Sequence, residues 1–220
     1  MSSLVPARDR AIPVEPALTP LFPDAGLRRG HVVSCGGVAA RSLATAVVAR
    51  AVAGGSWLAV VGVDGFGVEA AIEQGVAPER IVMIAAHDVG EWAERLAAAA
   101  DGFELLLTTP PRGSDRVMRK LRQRLQARGA VLLAVPPPDR VDSPSLAGDI
   151  ELATSDATWL GIDDGHGRLL ARRVTIRSAG RRVPRPVTID CWLPGPDGCV
   201  DVVQRGPAAL ERPAVIDRAS

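Results

Sequence analysis

The chain has 220 residues, 47% of them hydrophobic, and a formal net charge of +1. This is enough apolar material for one domain of ordinary size, and the near-neutral balance excludes a global electrostatic pull toward nucleic acid or membrane. Three cysteines (Cys35, Cys191, Cys199) without a CxxC pair, and three scattered histidines, argue against a disulfide framework or a zinc site.

Residues 1 to 30 are rich in proline and arginine and read as an extended lead-in. A short apolar strand follows at His31–Cys35, then a turn at Gly36 and Gly37. Ser42–Ala53 is apolar almost all round and predicts a helix buried on more than one side. Trp57–Val61 is a second apolar strand. Val68–Gln74 predicts a short helix with Val68, Ala71 and Ile72 on one face, and Ile81–Ile84 a third strand. Asp88–Ala100 is amphipathic, with Val89, Trp92, Ala93, Leu96 and Ala100 at helical spacing. Phe103–Leu107 predicts a fourth strand. Ser114 is placed to cap a helix that turns Val117, Met118, Leu121 and Leu125 inward and stops at Gly129. Ala130–Val135 is a fifth apolar strand.

Strands apolar throughout and alternating with helices indicate a parallel sheet covered on both faces. After Pro136 the helices cease, and 157–162, 168–176 and 187–193 predict antiparallel strands added to that sheet. From Asp201 to Ser220 large apolar residues are few, and a flexible tail is expected after a core of residues 31–200. The four tryptophans (Trp57, Trp92, Trp159, Trp192) are expected to lie mostly in the core, and Asp163–His166 reads as a hairpin turn. No apolar run is long enough for a membrane span and Met1–Asp9 is not of signal-peptide type, so a cytoplasmic location is expected.

A buried strand, a glycine turn and a helix form the setting of a P-loop. That chemistry needs glycine N–H groups around phosphates, a lysine for the β- and γ-phosphates and a hydroxyl for Mg²⁺. Gly36–Ala44 (GGVAARSLA) supplies none of this in register: counted from Gly36, the second glycine is Arg41, the lysine is Ser42 and the hydroxyl residue is Leu43. Lys120, the only lysine, lies in a helix with no glycine loop before it. The strand that should end in a Mg²⁺-binding acid ends in Thr108-Thr109, and Glu104 sits at its wrong end.

The order of these features resembles the RecA/RadA core, and more closely its degenerate mutagenesis accessory relatives, the actinobacterial ImuA-prime group, with ImuA and SulA more distant. Ala25–Val33 (AGLRRGHVV) is similar to the family's "GGLPxGRIV" lead-in, and Gly75–Ile84 (GVAPERIVMI) to its "LGVDxxNLLxxQP" strand. Met118–Arg122 (MRKLR) with Gly129–Val135 (GAVLLAV) resembles the helix and strand before the second DNA loop. Ala157–Gly161 (ATWLG) and Gly165–Arg177 (GHGRLLARRVTIR) resemble the late hairpin. The resemblance spans residues 12 to 180. It departs at both Walker motifs and at the acid after the second strand, where Val63 or Asp64 falls.

The resemblance implies an α/β RecA-like P-loop core, mostly parallel, with C-terminal antiparallel strands. It implies a non-catalytic accessory role in damage-induced translesion synthesis, without cofactor or metal, in the cytoplasm at the nucleoid. The implied partners are an ImuB-type inactive Y-family polymerase homologue and, through it, an error-prone C-family polymerase. Met1–Arg10 has no helical periodicity, so the family's self-docking arm is expected to be missing while its receiving surface remains. By resemblance that surface is Ile81, Val82, Ile84, Val89, Trp92, Leu96 and Ala97; the competing reading is that this helix merely covers the sheet. Two basic clusters, Arg116, Arg119, Lys120, Arg122, Arg124 and Arg128, and Arg168, Arg172, Arg173, Arg177, Arg181, Arg182 and Arg185, give DNA contact (through Arg116, Arg119, Lys120, Arg172 and Arg173) as the weaker alternative. Pro110–Gly113 and Pro136–Gly148 hold no aromatic ring for base stacking. A SulA-like division inhibitor and an atypical nucleotide hydrolase stand as rival functions.

Overall fold

The computed structural model describes residues 11–137, 146–163 and 166–203. The expectations for Met1–Arg10, for the centre of the Pro136–Gly148 loop, for the tip of the Asp163–His166 turn and for most of the C-terminal tail therefore lie outside the described residues.

One nine-stranded sheet organises the chain. Its strands are β1 (Val32–Gly37), β2 (Leu58–Val61), β3 (Ile81–Ile84), β4 (Leu105–Thr108), β5 (Val131–Ala134), β6 (Ile150–Asp163), β7 (His166–Ala179), β8 (Val187–Trp192) and β9 (Asp201–Val202). Their spatial order is β3-β2-β4-β5-β1-β6-β7-β8-β9. Pairing is parallel from β3 through β6 and antiparallel from β6 to β9. The fold is the mixed α/β architecture expected from the pattern of apolar strands.

The central strands are apolar throughout because both their faces are covered. On one face Val33, Cys35, Leu58, Val60, Leu105 and Leu133 pack under helix α1 (Ala40–Ala53) and helix α2 (Val68–Glu73). On the other, Val32, Ala59, Val61, Leu106 and Leu132 pack under α3 (Val89–Gly102) and α4 (Asp115–Arg128). In α1, 10 of 14 residues are buried, which is what its all-round apolarity requires. Asp88 caps α3 by accepting the Glu91 N–H at 2.9 Å. Ser114 occupies the N-cap position of α4 but makes no side-chain cap bond. Gly129, at φ 73°, ends α4 in the left-handed conformation that glycine adopts without penalty.

Several expectations change. Residues 11–30, expected as an extended lead-in outside the core, are part of it. They contain a 3-10 helix, Pro16–Leu21, and bury Ile12, Val14, Leu18, Leu21, Phe22 and Leu27. The prolines set the turns while the apolar residues between them enter the α1 side of the core. Ile72 is 45% exposed rather than facing inward. Trp57 and Trp159 are 43% and 42% exposed, each stacked by an arginine, Arg80 and Arg172. Asp201 and Val202, assigned to the tail, pair with β8. Among the described residues no helix is long and apolar enough to cross a membrane.

Candidate functional site

The candidate site is the carboxyl end of β1, where the strand turns into α1. Here β1 runs beside β6, with Gly36 opposite Ala153 and Gly37 opposite Thr154. The Thr154 hydroxyl donates to the Gly36 carbonyl (3.1 Å) and accepts the Ala39 N–H (2.9 Å). Gly37 has φ 85°, and a Cβ there would lie 2.0 Å from the Thr154 carbonyl oxygen, so only glycine fits. The glycine turn thus serves close packing on β6, and one of its N–H groups is already bonded to a side chain.

Arg41, in the first turn of α1, sends Nη1 to the carbonyls of Asp64 (2.8 Å) and Gly65 (3.3 Å). It ties α1 to the loop after β2. In that loop Val63 is buried in the core and the Asp64 side chain is exposed. A depression of about 210 Å³ is lined by Gly37, Val38, Ala39, Ala40, Arg41, Ser42 and Pro136.

At the end of β4, Thr108 is fully buried. Its hydroxyl donates to the Val61 carbonyl and accepts from the Trp92 indole N–H, both at 2.7 Å. That hydroxyl is a strut between β4, β2 and α3. Glu104 stands at the amino end of β4, bound by Arg29 and by Ser56, each at 2.8 Å. Burial raises its pKa, but the Ser56 and Arg29 bonds more than offset this and leave it below the usual carboxylate value. The residues at this place do not fit a nucleoside triphosphate with Mg²⁺: lysine and acid are missing, the Thr154 hydroxyl holds the Ala39 N–H, and Arg41 Nη1 is bonded to the Asp64 and Gly65 carbonyls. Among the described residues no cluster of three or more His, Cys, Asp or Glu could hold a metal ion.

The expected partner surface is divided by the structure. β3 is the edge strand, and Ile81, Val82 and Ile84 on it are half-buried. Ile84 accepts the Gly62 N–H (2.9 Å), so Ile84 and Val82 direct their backbone groups at β2 while Ile81 and Met83 direct theirs outward. Met83 and Val89 are exposed, at 50% and 37%. Trp92 and Leu96, expected on this surface, are instead core, at 2% and 0% exposure. Ala97 packs against the same cluster. A helix face that covers a sheet has the same apolar spacing as one that receives a partner, and here α3 covers β2 and β4.

The expected DNA contacts divide as well. Arg116, Arg119 and Lys120 are exposed and form no ion pair among the described residues. Arg172 is half-buried, donates to the Leu193 carbonyl (2.7 Å) and stacks on Trp159; burial lowers its pKa. Arg173 pairs with Asp190 (3.0 Å). Elsewhere in the clusters, Arg124 and Arg128 both bind Asp101, whose carboxyl the Arg124 bond holds down to about 2. Arg122 and Arg181 bind Asp149. Thr154 and Asp149, which organise the two ends of β1, carried no signal in the sequence; they become meaningful only once β6 is placed beside β1.

The MT3502 N-terminal domain family matches residues 20–140, from the 3-10 helix through β5. The chain belongs to that family. The matched stretch includes the glycine turn, Arg41, the β3 edge and α4, whereas Asp149 and Thr154 lie beyond it. No curated protein matches the sequence. Among solved structures, the crystal structure of the RadB recombinase is similar, with a TM-score of 0.61 over 86% of this chain and 97% of that one at 13% identity. This likeness establishes a RecA-like fold.

Proposed function

We propose that this member of the MT3502 N-terminal domain family is a non-catalytic RecA-like adaptor in damage-induced translesion synthesis, with an ImuB-type polymerase homologue as its direct partner and an error-prone C-family polymerase as its indirect one. One observation carries the reading. Where a RecA-like core would hold phosphate, the Thr154 hydroxyl and the Asp64 and Gly65 carbonyls engage the chain's own groups, while among the described residues no strand pairs with the outer edge of β3. An open edge offers backbone hydrogen bonds to an added strand, and Met83 and Val89 offer apolar contact beside it.

The test uses the outward Met83 N–H. Met83→Pro removes that donor, leaves the β2 ladder intact and exchanges an exposed side chain. Co-purification with a co-expressed ImuB-type protein is expected for the wild type and at least tenfold weaker for Met83→Pro, with the melting temperature little changed. No capture by the wild type would overturn the role, and equal capture by the variant would overturn the surface.

A further inference from the structure

A second cleft lies between α1 and α2. It holds about 70 Å³ and is lined by Arg41, Ser42, Thr45, Phe66, Gly67, Ala70, Ala71 and Gln74. Gln74 is 7% exposed, and its Oε1 is buried with no hydrogen-bond partner. No hydrogen bond from its amide nitrogen to a described residue accompanies it, and the oxygen is the buried, unpartnered end of the carboxamide. A buried amide oxygen left unbonded destabilises the fold, and leucine or methionine would fill the same volume without that cost. Arg41 and Ser42 also line the larger depression at the glycine turn, so the two spaces adjoin. In the first turn of α1 the N–H groups lack intrahelical partners, and Ala39 provides no side-chain cap.

These groups select a ligand. The Gln74 oxygen needs a donor, which a phosphate ester or carboxylate lacks at neutral pH. A carboxamide answers the oxygen and the NH₂ together, in a reciprocal pair of hydrogen bonds. The first turn of α1 and the part of the Arg41 guanidinium not bound to Asp64 and Gly65 favour negative charge beside it. About 70 Å³ is several times the space one water needs, and it suits a group of carboxamide size. We propose that this cleft binds a small primary-carboxamide acid, the amide paired with Gln74 and the carboxylate over the start of α1 beside Arg41. The assignment is independent of the docking role at β3.

Thermal shift and calorimetry on the full chain test it, with L-glutamine and L-asparagine as probes. L-glutamate, L-aspartate, propionamide and inorganic phosphate are the comparisons. One of the two amides is expected to raise the melting temperature in proportion to the logarithm of its concentration. The matching carboxylate and propionamide should each bind at least tenfold more weakly. Gln74→Leu, which removes the pairing, and Ala70→Phe, which fills the cleft from an exposed position, should each weaken binding at least tenfold. If Gln74→Leu does not fold, Ala70→Phe decides. No shift with either amide up to about 10 mM, an order above a millimolar Kd, would overturn the proposal. So would binding that survives Ala70→Phe, or phosphate binding as tightly as the amides.

Discussion

Replacing Asp149 with asparagine is expected to destabilise the protein by roughly 3 kcal/mol, a drop of about 6–12 °C in melting temperature for a chain of this length. The carboxylate is 3% exposed and joins four parts of the fold. It accepts the Val32 N–H at the start of β1 (2.9 Å), Arg122 Nη1 from α4 (3.2 Å) and Arg181 Nε from the turn after β7 (2.7 Å), and the backbone N–H of Asp149 donates to the Val32 carbonyl (2.7 Å). Asparagine keeps the shape but loses the charge, leaving Arg122 without its counter-ion. The effect falls at the low end for a broken buried pair because the Arg181 side chain is 58% exposed and can rehydrate. Burial raises the Asp149 pKa, but the Val32 bond and then Arg181 and Arg122 more than offset this, so it lies below the ordinary carboxylate value. The sign follows: a carboxyl with a depressed folded pKa stabilises fully above its unfolded pKa of about 3.9 and loses that contribution as pH falls toward the folded value. Urea denaturation of wild type and variant should show the widest gap above about pH 5 and a narrowing gap below about pH 4.

Trp92→Ala should cost as much or more, about 3–5 kcal/mol, because it empties a large buried site. It also removes the indole N–H from Thr108. Trp92→Phe, which keeps most of the volume, should cost less, with about 1 kcal/mol for the hydrogen bond. A near-neutral Trp92→Ala in chemical denaturation would return this residue to the surface, where its spacing alone allowed it to be placed.

Trp92 shows where the sequence stopped being decisive. Helical spacing reports that a face is covered without saying what covers it, and α3 covers its own sheet. The parallel core was readable because its strands are apolar on both faces, as Leu58–Val61 and Val131–Ala134 show. β6 starts well before the strand expected at 157–162 because its first half alternates: Leu152 and Thr154 face inward while Ala153 and Ser155 face out, and a buried threonine does not register as core. Thr154 is also the residue that closes the glycine turn, so the loss of the Walker residues could be read but not what replaced them. In the lead-in, prolines mask the apolar residues between them, so its burial is not legible in the sequence. The arginine clusters looked like a basic surface until Asp101, Asp149 and Asp190, distant in sequence, were brought against them.

We propose that the glycine turn between β1 and α1 is a packing element and does not hold phosphate. Titrating Mg-ATP into the purified full chain, followed by calorimetry and by melting temperature, tests it most directly. A ligand at a hundred times its Kd stabilises by about 2.7 kcal/mol, so a working site with a Kd near 10 μM would be unmistakable at about 1 mM nucleotide. No binding heat and no shift are expected. A melting temperature that climbs with the logarithm of Mg-ATP concentration, and fails to climb with magnesium alone, would contradict it.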